Sequence, residues 1–156
     1  MERAFKMLKV FLLSMTPVGE CRVSIPFGIS QELPLWEVAL FSILGNTLIG
    51  LLTFYLLNIL ENNLLKREPF KSWYERYLKR ALKRFRKHSL GLPLSLAIFI
   101  AIPLPGTGAF TGAFLAKFFR LDRKEVFFAI SLGVSIASLI VSILTSSVIE
   151  IIPSMK

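Results

Sequence analysis

The chain has 156 residues, of which 54% are hydrophobic, and its mean hydropathy of +0.63 is too high for an ordinary soluble domain. This composition indicates an integral membrane protein. The net charge of +9 does not indicate nucleic-acid binding, because ten of the 19 Lys and Arg residues lie within residues 66–87, interleaved with aromatic residues. One cysteine and one histidine exclude an internal disulfide and give no basis for a metal centre or a cofactor.

The first predicted element is an apolar arm that ends at a break. The arm covers residues 5–16, which make about 18 Å of helix and reach the middle of a hydrocarbon core of about 30 Å. The break carries the opposite charges Glu20 and Arg22, and ionisable residues at membrane depth are candidates for function. The residues that we expect to interrupt the helix here are Pro17, Gly19 and Pro26.

A first membrane-spanning helix is predicted at Leu35–Leu60. This run is apolar apart from one charge near its start, and it exceeds the roughly 20 residues that a crossing needs. Asn46 is the strongly polar side chain at its centre. Two interpretations of Asn46 stay open: it hydrogen-bonds to a neighbouring helix, or it contacts a substrate.

A basic linker at residues 62–90 follows the first span. Aromatic and aliphatic side chains recur along it with a helical period that starts after Pro69, and basic residues occupy the other positions. A basic face, an apolar face and interfacial Trp and Tyr predict an amphipathic helix lying flat on the membrane surface. Its function is open between a topology anchor and a clamp for anionic lipids.

The second half repeats the order of the first. An apolar arm at residues 92–103 leads into a second break at residues 103–112, and a second span follows at residues 125–149. The residues that we expect to interrupt the helix in this half are Pro103, Pro105 and Gly112.

A shift of 88 residues relates the two halves, since it aligns Pro17 with Pro105, Glu37 with Glu125 and Gly45 with Gly133. The predicted fold is an all-α membrane protein built as an inverted-topology repeat, in which each half is a re-entrant helical hairpin plus one transmembrane helix. Inversion follows because each half crosses once and the linker stays on one face. We therefore expect a single membrane domain, with repeat one at 1–61, the interfacial linker helix at 62–90 and repeat two at 91–153.

The distribution of basic residues predicts the orientation. The linker and residues 117–124 together hold 14 of the 19 basic residues and share one side in this topology. The positive-inside rule places that side in the cytoplasm of a multi-pass protein in the cell (plasma) membrane.

Both hairpin tips are expected near the bilayer centre, which brings the two breaks together as a substrate site. Two helix N-termini and Arg22 favour the binding of an anion, and phosphate is the anion that we expect such a site to bind. Glu20 either holds Arg22 in place or takes up a proton as substrate enters. Since Glu20 is the only acid placed within the apolar core, no constellation for an enzyme is present. The predicted substrate-binding residues are Glu20, Arg22, Asn46, Gly106, Thr107, Gly108 and Thr111.

The two breaks also carry a family resemblance. The segment ECRVSIP at residues 20–26, together with PLPGTGAFTG at residues 103–112, resembles the small multi-drug export protein family of archaea and bacteria. More remotely, the combination is similar to the DedA-type membrane proteins, whose two re-entrant hairpins are associated with moving phospholipids and polyprenyl phosphate carriers. The first resemblance implies export of drugs, often lipophilic cations.

These observations predict a small secondary transporter or lipid translocase that moves an anionic, phosphate-bearing amphiphile through a midplane site. Its partners are membrane lipids and a small amphiphilic substrate, with protons as a candidate coupling ion and a homodimer as one way to shield the polar site. Two alternatives stay open. One is a proton-coupled exporter of small cationic drugs that uses Glu20, and the other is a membrane scaffold without transport.

Overall fold

The structure is a computed structural model that describes residues 2–17, 19–60, 70–85, 89 and 91–151. Within these residues the chain is entirely helical, as predicted. The helices are α1 (Glu2–Ser14), α2 (Glu20–Ser30), α3 (Leu35–Leu60), α4 (Phe70–Arg84), α5 (Leu92–Ala101), α6 (Ala109–Phe118) and α7 (Arg123–Ile151).

The two long helices lie where the apolar runs predict them. Helix α3 has the predicted bounds, and α7 extends the predicted span by two residues at each end. At the start of α7 the Glu125 carboxylate accepts the Asp122 amide at 2.9 Å, and the Asp122 carbonyl accepts the Val126 amide as the first helical hydrogen bond. Both helices are long and apolar enough to cross a membrane.

The outer surface of these two helices is apolar. Exposed leucines recur every four residues along α3, and large exposed side chains continue on α7. A soluble monomer rarely exposes so continuous an apolar surface, so this surface supports a position in lipid. The exposed residues are Leu40, Leu44, Leu48, Leu52 and Leu56 on α3 and Phe127, Phe128, Leu139, Ile143 and Leu144 on α7.

Helices α1 and α2 form a hairpin along the first half of α3. Arg3 near the start of α1 pairs with Glu37 in the first turn of α3. Ten residues into α3, Gly45 lies so close to α1 that an added Cβ would be 2.7 Å from the Phe11 carbonyl oxygen. Helix α2 runs back in the opposite direction, with a hydrogen bond of 2.6 Å between Ser24 and Ser42. The hairpin therefore turns near the middle of α3.

Helices α5 and α6 form a second hairpin from the other end. Ala109, at the start of α6, contacts Gly50 of α3, and Lys117, near its end, donates to Asn58 at 2.6 Å. Helix α7 begins at this same end, where Arg123 lies 5.6 Å from the Tyr55 ring centroid. Helix α6 thus runs from the middle of α3 to its C-terminal end, and α3 and α7 are antiparallel.

Gly45 and Gly133, which are 88 residues apart, each lie against a shorter helix. Gly133 of α7 contacts α5, with the Ala97 carbonyl oxygen 2.7 Å from an added Cβ, as Gly45 of α3 contacts α1. Helix α2 packs on both α3 and α7, and its counterpart α6 packs on both α7 and α3. The paired glycines found by sequence thus have equivalent packing positions.

Two predicted helix breaks are wrong. Pro26 lies inside α2 and Gly112 lies inside α6. A proline removes one helical hydrogen bond, but α2 continues because α1, α3 and α7 pack around it. Gly112 serves packing instead, since an added Cβ would lie 2.8 Å from Ile100 Cγ1 of α5. The other predicted breaks, at Pro17, Gly19, Pro103 and Pro105, do lie between helices or at a helix start.

Helix α4 begins one residue after Pro69 and is amphipathic, but protein covers its apolar face. The Tyr77 ring packs against Phe114 of α6 with centroids 4.8 Å apart, and Leu78 and Ala81 are buried in the core shared with α5 and α6. These three side chains therefore contact protein, while Trp73 stays 49% exposed, and the position of α4 on the membrane surface stays a prediction. Residues 61–69, 86–88, 90 and 152–153 of the predicted segments lie outside the described residues.

Candidate functional site

The first break is a tight turn closed by Thr16. The Thr16 hydroxyl donates to the Leu13 carbonyl at 2.8 Å and accepts the Gly19 amide at 2.9 Å. Immediately after it, Glu20 begins α2 with a φ of +42°. A non-glycine residue in this region of φ is strained, and such strain is concentrated at functional sites.

The Glu20 side chain crosses from the first hairpin to the second. It is 3% exposed, and its carboxylate lies directly against Gly108, the N-cap residue of α6. The first amides of a helix have no partner within the helix, and the helix dipole is positive at this end. The Glu20 carboxylate therefore lies at the N-terminus of α6, although 88 residues separate it from Gly108.

Gly108 is required by this arrangement. A Cβ added to Gly108 would overlap both oxygens of the Glu20 carboxylate. Its backbone, at φ −86° and ψ −166°, is open to any residue. The requirement for glycine thus comes from the close approach of Glu20 and not from the conformation of the turn.

Arg22 connects the same two breaks. One of its terminal nitrogens donates to the Thr107 hydroxyl at 3.1 Å and lies 3.5 Å from the Ile102 carbonyl oxygen, while the other lies 3.5 Å from Glu20 Oε2. The Thr107 hydroxyl is itself 2.6 Å from the Ile102 carbonyl oxygen and 2.8 Å from that of Leu104. Thr107 therefore closes the end of α5 and gives Arg22 an acceptor.

Gly106 and Thr111 lie on the side of the second break that faces α4. Gly106 has a φ of +79° and is exposed to solvent. The Arg84 guanidinium lies next to it and donates to the Pro105 carbonyl. Thr111 is buried and makes a hydrogen bond of 2.6 Å with the Tyr77 hydroxyl.

Tyr77 and Arg84 are the residues that sequence reasoning missed. Both belong to the amphipathic pattern of α4. The pattern does not distinguish Tyr77 from the other residues of the apolar face, or Arg84 from the other residues of the basic face. The available signal was the position of Tyr77 among Leu and Ala residues, because a buried phenol needs a hydrogen-bond partner.

Asn46 is buried next to this region. It is 1% exposed, and its Oδ1 has no hydrogen-bond partner within the described part of the chain. One helical turn before it, Ser42 contacts α2, and one turn after it, Gly50 contacts α6. Asn46 thus shares the α3 face that both hairpins contact, but no contact described here joins it to Glu20 or Arg22.

Opposite charges meet in the cluster formed by Glu20, Arg22, Thr107, Gly108 and the α6 N-terminus. With Glu20 ionised, the carboxylate is offset by Arg22 and by the helix terminus, which carries about half a positive charge. When Glu20 binds a proton or moves away, the same place has a net positive potential. The arrangement can therefore hold either its own carboxylate or an anion from outside.

A family model described as "Putative small multi-drug export protein" matches residues 20–140, a range that begins at Glu20 and contains α2, α3, the second break and α7 up to residue 140. No curated protein matches the chain, and no solved structure matches it.

Proposed function

We propose that this chain, which belongs to the small multi-drug export protein family, is a small membrane transporter that moves an anionic, phosphate-bearing amphiphile between its two hairpins. The observation that carries the proposal is the meeting of Arg22, Thr107 and the α6 N-terminus around a buried carboxylate. Buried charge at membrane depth is costly and is usually kept for function.

The architecture that we propose is an inverted repeat with two re-entrant hairpins. Helices α1, α2, α5 and α6 have 13, 11, 10 and 10 residues. At 1.5 Å per residue they are about 15–20 Å long and too short to cross a core of about 30 Å. The packing of α2 and α6 on both long helices, from opposite ends, supports this arrangement.

In the proposed orientation α4 and the C-terminal end of α3 face the cytoplasm. This end carries Lys117, Arg120, Arg123 and Lys124 as well as the basic residues of α4. The opposite end carries Glu37 and fewer basic residues, which are Arg3, Lys6 and Lys9 of α1. The positive-inside rule supports that choice.

Glu20 provides a mechanism for binding and release. Its carboxylate occupies the place that a phosphate would take, next to the α6 amides and Arg22. A phosphate that enters must displace it, and the displaced carboxylate is stabilised by taking up a proton. Proton uptake would then accompany substrate binding, and proton loss would return Glu20 to α6 and release the substrate.

A second candidate is a proton-coupled exporter of small lipophilic cations. The description of the family as multi-drug export proteins favours it, and Glu20 is a buried acid that a cation could contact. In that mechanism the positive charge of Arg22 repels the cationic substrate, so the removal of Arg22 should increase transport.

Transport in proteoliposomes separates the two candidates. The purified protein is reconstituted, and movement of a fluorescent phosphatidylglycerol or polyprenyl phosphate is compared with that of a lipophilic quaternary ammonium cation. Arg22→Ala should abolish movement of the anion, whereas the control variant Lys79→Ala, which removes an exposed charge on α4, should leave it unchanged.

Glu20→Gln distinguishes coupling from binding. In the anion mechanism it should slow net transport and remove its dependence on a proton gradient, because the neutral amide cannot exchange a proton. Anion movement that survives Arg22→Ala would reject the proposal. Cation flux that stops in Glu20→Gln and persists in Arg22→Ala would support the second candidate instead.

A further inference from the structure

A cleft of about 450 Å³ lies between α4 and the second break, on the outer side of the cluster described above. Its volume is within the range of about 300–1,000 Å³ that small-molecule sites occupy. The lining residues are Tyr77, Arg80, Ala81, Lys83, Arg84, Pro105, Gly106 and Thr111.

The charged side chains that line this cleft are basic. Arg80, Lys83 and Arg84 line it, all three are exposed, and no acidic residue is among the lining side chains. Arg84 is held at the rim by the Pro105 carbonyl, which uses one of the five N–H donors of a guanidinium. Three cations that converge on one cavity favour a phosphoryl group, and they disfavour a cationic guest.

The floor of the cleft connects it to the buried cluster. The hydrogen bond of 2.6 Å between Tyr77 and Thr111 forms part of this floor. Behind it, Thr111 lies in the first turn of α6, whose N-cap residue Gly108 contacts the Glu20 carboxylate. A group bound among the cations is therefore one helical turn from the place that Glu20 occupies.

We propose that this cleft is a binding site for a phosphate group, and that it receives the head group of the transported amphiphile before the group moves to Arg22. The identity of the ligand as that amphiphile rests on the proposed function. The site itself rests on the three cations, the cavity and the hydroxyl pair.

Trp73 gives a direct measure of binding. It stacks on Tyr77 with centroids 5.8 Å apart, and the exposed Trp36 is the only other tryptophan in the chain. In full-length protein that carries Trp36→Phe, Trp73 fluorescence in detergent micelles reports on the cleft. The probes are dihexanoyl phosphatidylglycerol, inorganic phosphate and, as a zwitterionic control, dihexanoyl phosphatidylcholine.

The expected result is a saturable change with phosphatidylglycerol that is absent with phosphatidylcholine. The double variant Arg80→Gln and Lys83→Gln should weaken binding about 30-fold, equal to about 2 kcal/mol at 1.4 kcal/mol for each factor of ten. The matched pair Lys71→Gln and Lys79→Gln removes two exposed charges that do not line the cleft and should change binding less than 3-fold.

The outcomes are separable. Saturable binding that depends on Arg80 and Lys83 supports the site, and the ratio of lipid to inorganic phosphate affinity tells whether a head group or free phosphate is the better ligand. An equal loss of affinity in both double variants, or the absence of saturable binding to either phosphate probe, would overturn the proposed site. Arg22→Ala should leave this binding within 2-fold, so a failure of the proposed transport function leaves the cleft measurement intact.

Discussion

Replacement of Gly108 by alanine tests the contact on which the site depends. The backbone of Gly108 accepts an alanine without strain, so the only direct consequence of the added methyl group is its overlap with the Glu20 carboxylate. The carboxylate must leave the α6 N-terminus, which removes its ion pair of 3.5 Å with Arg22. An added methyl group in a tightly packed place costs about 1–3 kcal/mol, so we expect a loss of about 2 kcal/mol in unfolding free energy.

A double-mutant cycle with Glu20→Ala measures this coupling. The short alanine side chain at position 20 leaves room for the methyl group, so Gly108→Ala should cost less than about 0.5 kcal/mol in that background. Both costs are measured by reversible unfolding in mixed detergent micelles, followed by circular dichroism. An equal cost of Gly108→Ala in the two backgrounds would refute the reasoning, since the damage would then not pass through Glu20.

Three further variants test the packing that holds the site. Tyr77→Phe should destabilise the protein by about 0.6 kcal/mol, the average for hydrogen bonds between membrane helices, and it should cost nothing once Thr111→Val has removed the partner. Ser24→Ala should cost a similar amount in the same unfolding assay, whereas combining it with Ser42→Ala should cost less than the sum, because no unpaired hydroxyl is then left buried. Gly133→Ala should cost about 1–3 kcal/mol, since its Cβ would lie 2.7 Å from the Ala97 carbonyl oxygen; no change in unfolding free energy would mean that α5 and α7 do not pack closely.

The long helices and the positions of the turns could be predicted from sequence because their causes are local. Helix α3 is a 26-residue apolar run that starts directly after Pro34, and the turns contain Pro17, Pro103 and Pro105. The meeting of Glu20 and Arg22 with the second break could be anticipated only through an argument from helix length and inversion. Their roles in transport stay predictions.

The positions that were predicted wrongly, or not predicted, depend on tertiary contacts, which a single sequence does not specify. A proline such as Pro26 and a glycine such as Gly112 read as breaks, but tertiary packing decides whether a helix tolerates them. The helical period of α4 is the same whether lipid or protein covers the apolar face, so the contact of Tyr77 with Thr111 was not predictable. The position of the Glu20 carboxylate at the N-terminus of α6 depends on a contact with Gly108, 88 positions away.

The depth of the two hairpin tips is the most direct test of this account. Single spin labels are attached at Thr16 and Leu104, the exposed tip residues, in a Cys21→Ser background, and the protein is reconstituted in nanodiscs. Their depth is measured by power saturation with oxygen and with a water-soluble nickel complex. The account predicts that both labels lie near the middle of the bilayer and that the nickel complex reaches them from the polar site. Labels found at opposite head-group levels, as for hairpins that cross the membrane completely, would contradict it.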